Sequence, residues 1–375
     1  MKKLTLRFQM TIVAVTLLLA FGVTSCDENP AEVSSSQILP ESFGVEIPQS
    51  INSATINTGG REEGTEEMDG DDIYRHLRLF IHVGDASREL VEEIMIAIRD
   101  LNVESLESVV YESDEDGRSK LLEVFKEVEF EGQTWQYELM VTDLDAQNDA
   151  DGGVAMQIFW NNEPVVGVAI MKPYNINRED RENQFDAMYR IDYNSAGNDV
   201  YDATMEVSIS GLRTDRAQDD DYAMRNLRMF VGRNGDHVDV FGNSNHPKAR
   251  LFPDEENPGF NWAFVASGSK SQDIGVAEVG LPPSALDSDD REELLVDYSI
   301  KNVFTQRILK AFPNISQNDL DAFLINTNAP GYFDKNGFIS AGISPGEAWT
   351  PLALRIQDLA PYNPLETTNL TITFK

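Results

Sequence analysis

Cysteine is nearly absent: Cys26 is the only one in 375 residues, so no disulfide can form within the chain and packing has to supply its stability. Histidine is scarce as well. His76, His82, His237 and His246 are the full set, and none stands in a metal-ligand spacing such as H-E-x-x-H. His237 and Asp239 lie two apart on a predicted strand and share its solvent face, with Val238 and Val240 pointing inward. Two ligands fall short of the three or four that zinc takes from a protein. Positive charge is also short, with 30 Lys and Arg against 64 Asp and Glu for a net charge of −34. Such a surface repels nucleic acid and anionic head groups. No G-x-S-x-G elbow, phosphate loop or G-x-G-x-x-G fingerprint occurs; Ala266-Ser267-Gly268-Ser269-Lys270 reads as a serine-rich turn without an assigned base.

The longest apolar run, Met10 to Val23, is too short for the ~20 residues that a membrane-crossing helix needs. It follows Lys2, Lys3 and Arg7 and precedes Val23-Thr24-Ser25-Cys26. A positive start, a short apolar stretch and small residues before a cut form a secretory signal. The last four residues resemble the lipobox of bacterial lipoproteins. That resemblance, confined to the first 26 residues, implies a signal peptide over 1–25 and a diacylglyceryl group on the Cys26 thiol. It further implies acylation of the new amino terminus. Each buried methylene contributes about 0.8 kcal/mol, so two or three palmitate-class chains hold a protein stably where one does not. The expectation is an outer-membrane, lipid-anchored envelope protein. Acids directly after Cys26 resemble surface-export signals of some Gram-negative groups, which leaves the periplasmic and surface faces both open.

Residues 26–70 read as an acidic flexible tether, rich in charge and poor in apolar residues. Within it, Phe43-Gly44-Val45-Glu46-Ile47-Pro48 alternates like an edge strand. Residues 71–375 then read as a single α+β domain. Over 71–127 the pattern is helical: Ile73, Leu77, Phe80 and Ile81 form one helix that stops at Gly84. Leu90, Val91, Ile94 and Ile98 form a second, capped by Asp85 or Ser87, and Leu121, Leu122 and Phe125 a third. Over 128–283 the period is two, which predicts a large curled antiparallel β-meander of about nine strands. Residues 286–326 are helical again, so two helical blocks pack on one face of the sheet, and 337–375 is a β tail built on Leu352-Leu354-Ile356 and Leu370-Ile372-Phe374.

Two constellations bear on chemistry. Asp143, Asp145, Asp149 and Asp151 alternate in one loop and are the candidate Ca²⁺ ligands, since calcium takes six to eight oxygens. Against an EF-hand, Asn148 occupies the glycine position and Val154 the closing acid position. Trp135, Trp160 and Trp262 sit on the inward beat of strands, where aromatic core filling accounts for them. No cofactor and no catalytic residue is assigned. The leading expectation is a non-enzymatic binding or structural module, with an unknown protein, glycan or lipid partner. A periplasmic-type carrier of an apolar ligand and an envelope-polymer hydrolase are the alternatives.

Overall fold

A computed structural model describes residues 39–40, 42–54, 69–100, 108–113, 115–179, 185–214, 222–252 and 259–375, with the side chains of 97–100 set aside. Residues 1–25, expected to be a signal peptide, and Cys26 lie outside the described residues. The described residues contain thirteen strands in one antiparallel sheet, and each strand pairs with its sequence neighbours. They are β1 (Val109–Glu112), β2 (Ser119–Phe130), β3 (Gln133–Asp143), β4 (Val154–Asn162), β5 (Val165–Met171), β6 (Met188–Asn194) and β7 (Ala203–Ser210). Then come β8 (Asn226–Asn234), β9 (His237–His246), β10 (Phe260–Ser269), β11 (Ile274–Gly280), β12 (Gly331–Asp334) and β13 (Gly337–Ala341). The sheet is an open meander with β1 and β13 as its edges.

All nine strands expected from alternation are present, as β3 to β11; two more extend the sheet at each side. On the first side, Leu121, Leu122 and Phe125 belong to β2 and not to a helix. Their spacing fits a helix over one turn, but β2 is hydrogen-bonded to β3 from Lys120↔Asp143 to Phe130↔Gln133, and that ladder overrides the local pattern. On the other side, β12 and β13 are four and five residues long, too short for periodicity to reveal.

One helix, α1 (Gly70–Asp100), replaces the two expected on either side of Gly84. Asp69 and Asp72 cap its start reciprocally, each accepting the other's backbone N–H. Gly84 continues the helix because it is needed for close packing: a Cβ there would stand 2.5 Å from Met229 Cε on β8. Asp85 and Ser87 are therefore mid-helix, and Ser87 Oγ donates back to the Gly84 carbonyl. Ile73, Leu77 and Ile81 of α1 share one apolar cluster with Leu139, Ile158, Val207, Val240 and Trp262 of the sheet. Beyond the short α2 (Pro173–Ile176), Ile300, Phe304 and Ile308 of α3 (Ile300–Ala311) and Leu320 of α4 (Gln317–Phe323) join the same cluster. No helix among the described residues is long and apolar enough to cross a membrane.

The opposite face is covered too. Leu294 and Leu295, with Leu352 and Ile356 from the C-terminal region, bury Ala263, Val265 and Val276. All ten residues of β10 are consequently buried. The predicted β tail is mostly helical, with α5 (Thr350–Arg355) and α6 (Pro364–Thr368). Leu352 and Ile356 alternate with Leu354, yet they are also four apart; Pro351 starts a helix, and Leu354 stays exposed. Leu370, Ile372 and Phe374 form no strand, and Ile372 instead joins Phe130, Trp135 and Phe159 in a third cluster. Trp160 and Trp262 are inner-core residues as expected, whereas Trp135 faces the other way in this third cluster. Buried amides fix the tail: Asn226 Nδ2 donates to the Thr367 carbonyl, Asn243 to that of Tyr362 and Asn261 to that of Pro364.

Residues 39–54 also depart from the expected flexible tether. Phe43, Val45, Ile47 and Ile51 are buried in the main cluster, without forming a strand. Gly167 on β5 makes the socket for Phe43, since a Cβ there would lie 2.6 Å from its ring. Phe43→Ala should therefore lower unfolding free energy by about 3 kcal/mol in chemical denaturation. A change below about 1 kcal/mol would mean that this segment rests on the core without supporting it.

Candidate binding groove

A groove of about 760 Å³ runs between residues 42–54, one face of α1 and the ends of several strands. Helical spacing puts Arg78, His82, Asp85, Glu89 and Glu92 along that face of α1. Much of this stripe grips the 42–54 segment. Glu92 Oε1 accepts from the Phe43 N–H at 3.0 Å, and Arg78 Nη2 donates to the Gln49 carbonyl at 2.7 Å. From the far side, Asp273 Oδ1 accepts from the Ser50 N–H at 2.9 Å.

Asn52 fixes the state of His82. Its Nδ2 donates to Asp85 Oδ2 at 2.6 Å, so its Oδ1 faces His82 Nδ1 at 2.9 Å and that nitrogen carries the proton. Burial pushes the His82 pKa down, ahead of the opposing pull of Asp85 and Glu89, which favours the neutral ring. His82 Nε2 then presents a lone pair, and that atom is buried without a hydrogen-bond partner.

Arg78 is the other exceptional group. The residue is 6% exposed, and its buried Nε has no partner. Burial pulls its pKa down, with Asp273 and Asp334 too weakly placed to compensate. The other groove charges divide unevenly. Arg88 is matched by Asp85, Glu89 and Glu92, and Lys270 lies 2.6 Å from Glu46. Among the described residues Arg78, Arg233 and Lys335, all lining the groove, form no ion pair with a carboxylate.

The acids singled out from sequence are elsewhere. Asp143 is fully buried between Arg118 Nε at 2.7 Å, Lys120 Nζ at 3.3 Å and Arg178 Nε at 3.4 Å. Asp149 pairs with Arg178 and Asp151 with Lys172, while Asp145 accepts the Ser119 N–H. The buried Lys120 ammonium also bonds Asp116 and the Asn175 carbonyl, which uses all three donors. The loop is thus tied by ion pairs to the start of β2 and to residues 172–178. Among the described residues, no group of three or more His, Cys, Asp or Glu is placed to hold a metal ion.

Asp239 is likewise not solvent-facing, although Val238 and Val240 do point inward as expected. It is buried under α5, where Arg355 clamps both carboxylate oxygens at 2.9 and 2.6 Å and Tyr201 and Ser267 donate to it. Ala266 to Ser269 lie within β10, not in a turn. A second hollow of about 380 Å³ brings Asp192 and Glu206 together as cross-strand neighbours beside Trp135 and Phe230. Burial pushes the Asp192 pKa up even though Arg190 binds both of its oxygens. Glu206 is held by Arg228 and the Tyr362 hydroxyl.

No family model matches the chain, and no curated protein or solved structure matches it either.

The ion-paired loop makes a pH prediction. Burial raises the Asp116 and Asp151 pKa values, but lysine and backbone donors outweigh it and hold both carboxyls below their ordinary range. A lowered native pKa adds stability that is complete above the unfolded value, about 3.9, and is lost as pH falls through the native one. Melting temperature should therefore fall below about pH 4, and Asp151→Asn should make that acid limb shallower. Parallel acid limbs for variant and wild type would refute the assignment.

Proposed function

We propose that this chain is a lipid-anchored outer-membrane lipoprotein that acts as a non-enzymatic binding module, with the groove along α1 as its binding surface. The observation that carries the binding role is Arg78, a guanidinium buried in the groove wall that, among the described residues, has one hydrogen bond and no carboxylate partner. Burial of a charge without a partner is costly, and natural chains keep such groups where a ligand completes them. The anchoring role rests on the lipobox resemblance at Val23-Thr24-Ser25-Cys26. The packed segment 39–54 supports the arrangement, because it ties the anchored end of the chain to the groove.

The two alternatives receive less support. Carriage of an apolar ligand needs an open apolar face, and α1, α3 and residues 43–51 fill the inner one. Hydrolysis of an envelope polymer finds its best acid pair in Asp192 and Glu206, both engaged by arginines. Cys26→Ala should shift the protein from the membrane fraction to the soluble fraction. Retention of the variant in membranes after an alkaline wash would refute lipid anchoring.

A further inference from the structure

The groove's lining narrows the ligand, and this step rests on the binding role proposed above. Arg78, Arg233 and Lys335 have no acidic partner among the described residues, so the groove holds unmatched positive charge in a chain of net charge −34. That combination selects an anion. The same groove also contains Glu46, Asp85, Glu89 and Glu92, whose oxygens repel a dianion and accept hydrogen bonds from hydroxyl groups. His82 Nε2, with its lone pair unmatched, asks for a hydroxyl donor in the same way. Arg78 and His82 are four residues apart on α1 and therefore neighbours on one helix face.

We infer that the groove binds a hydroxylated molecule carrying a single carboxylate, as in an acidic sugar, with the carboxylate on Arg78 and a hydroxyl on His82 Nε2. Arginine suits the first contact because its planar fork binds a carboxylate through two N–H groups. Arg233 and Lys335 at the groove's margin supply the longer-range attraction.

The test is titration calorimetry on the full-length protein with glucuronate as probe, against glucose and inorganic phosphate, together with melting curves. Glucuronate should bind saturably, glucose should give no heat, and phosphate should bind more weakly. Arg78→Met should weaken glucuronate binding roughly tenfold or more, and Arg78→Lys should weaken it less. In the absence of ligand, Arg78→Met should leave the melting temperature within about a degree or two of wild type, because losing the bond to the Gln49 carbonyl and removing a buried charge without an ion-pair partner offset each other. A larger drop in melting temperature would show that Arg78 is structural and would overturn the binding role of the groove itself. An unchanged or raised melting temperature without glucuronate binding, or with tighter phosphate binding, would overturn only the ligand class.

Discussion

A sheet of thirteen strands with two open edges exposes two broad apolar faces, and in a chain with one cysteine they can be covered only by packing. Most of the described helices and much of the irregular chain answer to that constraint. α1, α3, α4 and residues 43–51 cover one face. The turn around Leu294, the C-terminal helices and Ile372 cover the other. The segments that do this come from both ends of the chain, so the meander, built from local neighbours, is sealed by long-range contacts.

The acidic excess shapes what lies on that frame. With so few cations, their placement decides which carboxylates can be buried. Lys120, Arg118 and Arg178 converge on Asp143, while Arg355 covers Asp239. Breaking such a pair strands a buried charge, which costs more than the pair itself contributes. These clusters therefore fix geometry: one ties the loop after β3 to residues near 175, and the other ties α5 to β9. Arg78 departs from this pattern, since it is buried but forms no ion pair with a carboxylate among the described residues. The contrast sets the groove apart from the structural ion pairs.

The packed segment 39–54 bears on how the proposed anchor would work. A leash that began at Cys26 and ran to residue 70 would leave the folded body free of the membrane's position. Instead Leu39 and Phe43 already lie in the core, and residues 42–54 line the groove beside α1. With the proposed lipid on Cys26, about a dozen residues would separate it from the core. A ligand in the groove would touch the segment that leads toward the proposed anchor.

Nine strands, the antiparallel meander and the inner tryptophans Trp160 and Trp262 were legible in the sequence, because each depends on neighbours or on a period of two. The outer strands were not. β2 mimics a helix over one turn, β12 and β13 are too short to show a period, and Leu352-Leu354-Ile356 satisfies both periods at once. The groove was invisible for a different reason. Arg78 and His82 directly follow the apolar positions Leu77 and Ile81, and nothing local distinguishes a solvated arginine from a buried one. That difference arises only when residues 42–54 fold over α1 and exclude water from both. Composition and periodicity determined the sheet and the charge; tertiary burial decided which of those charges were left without a partner.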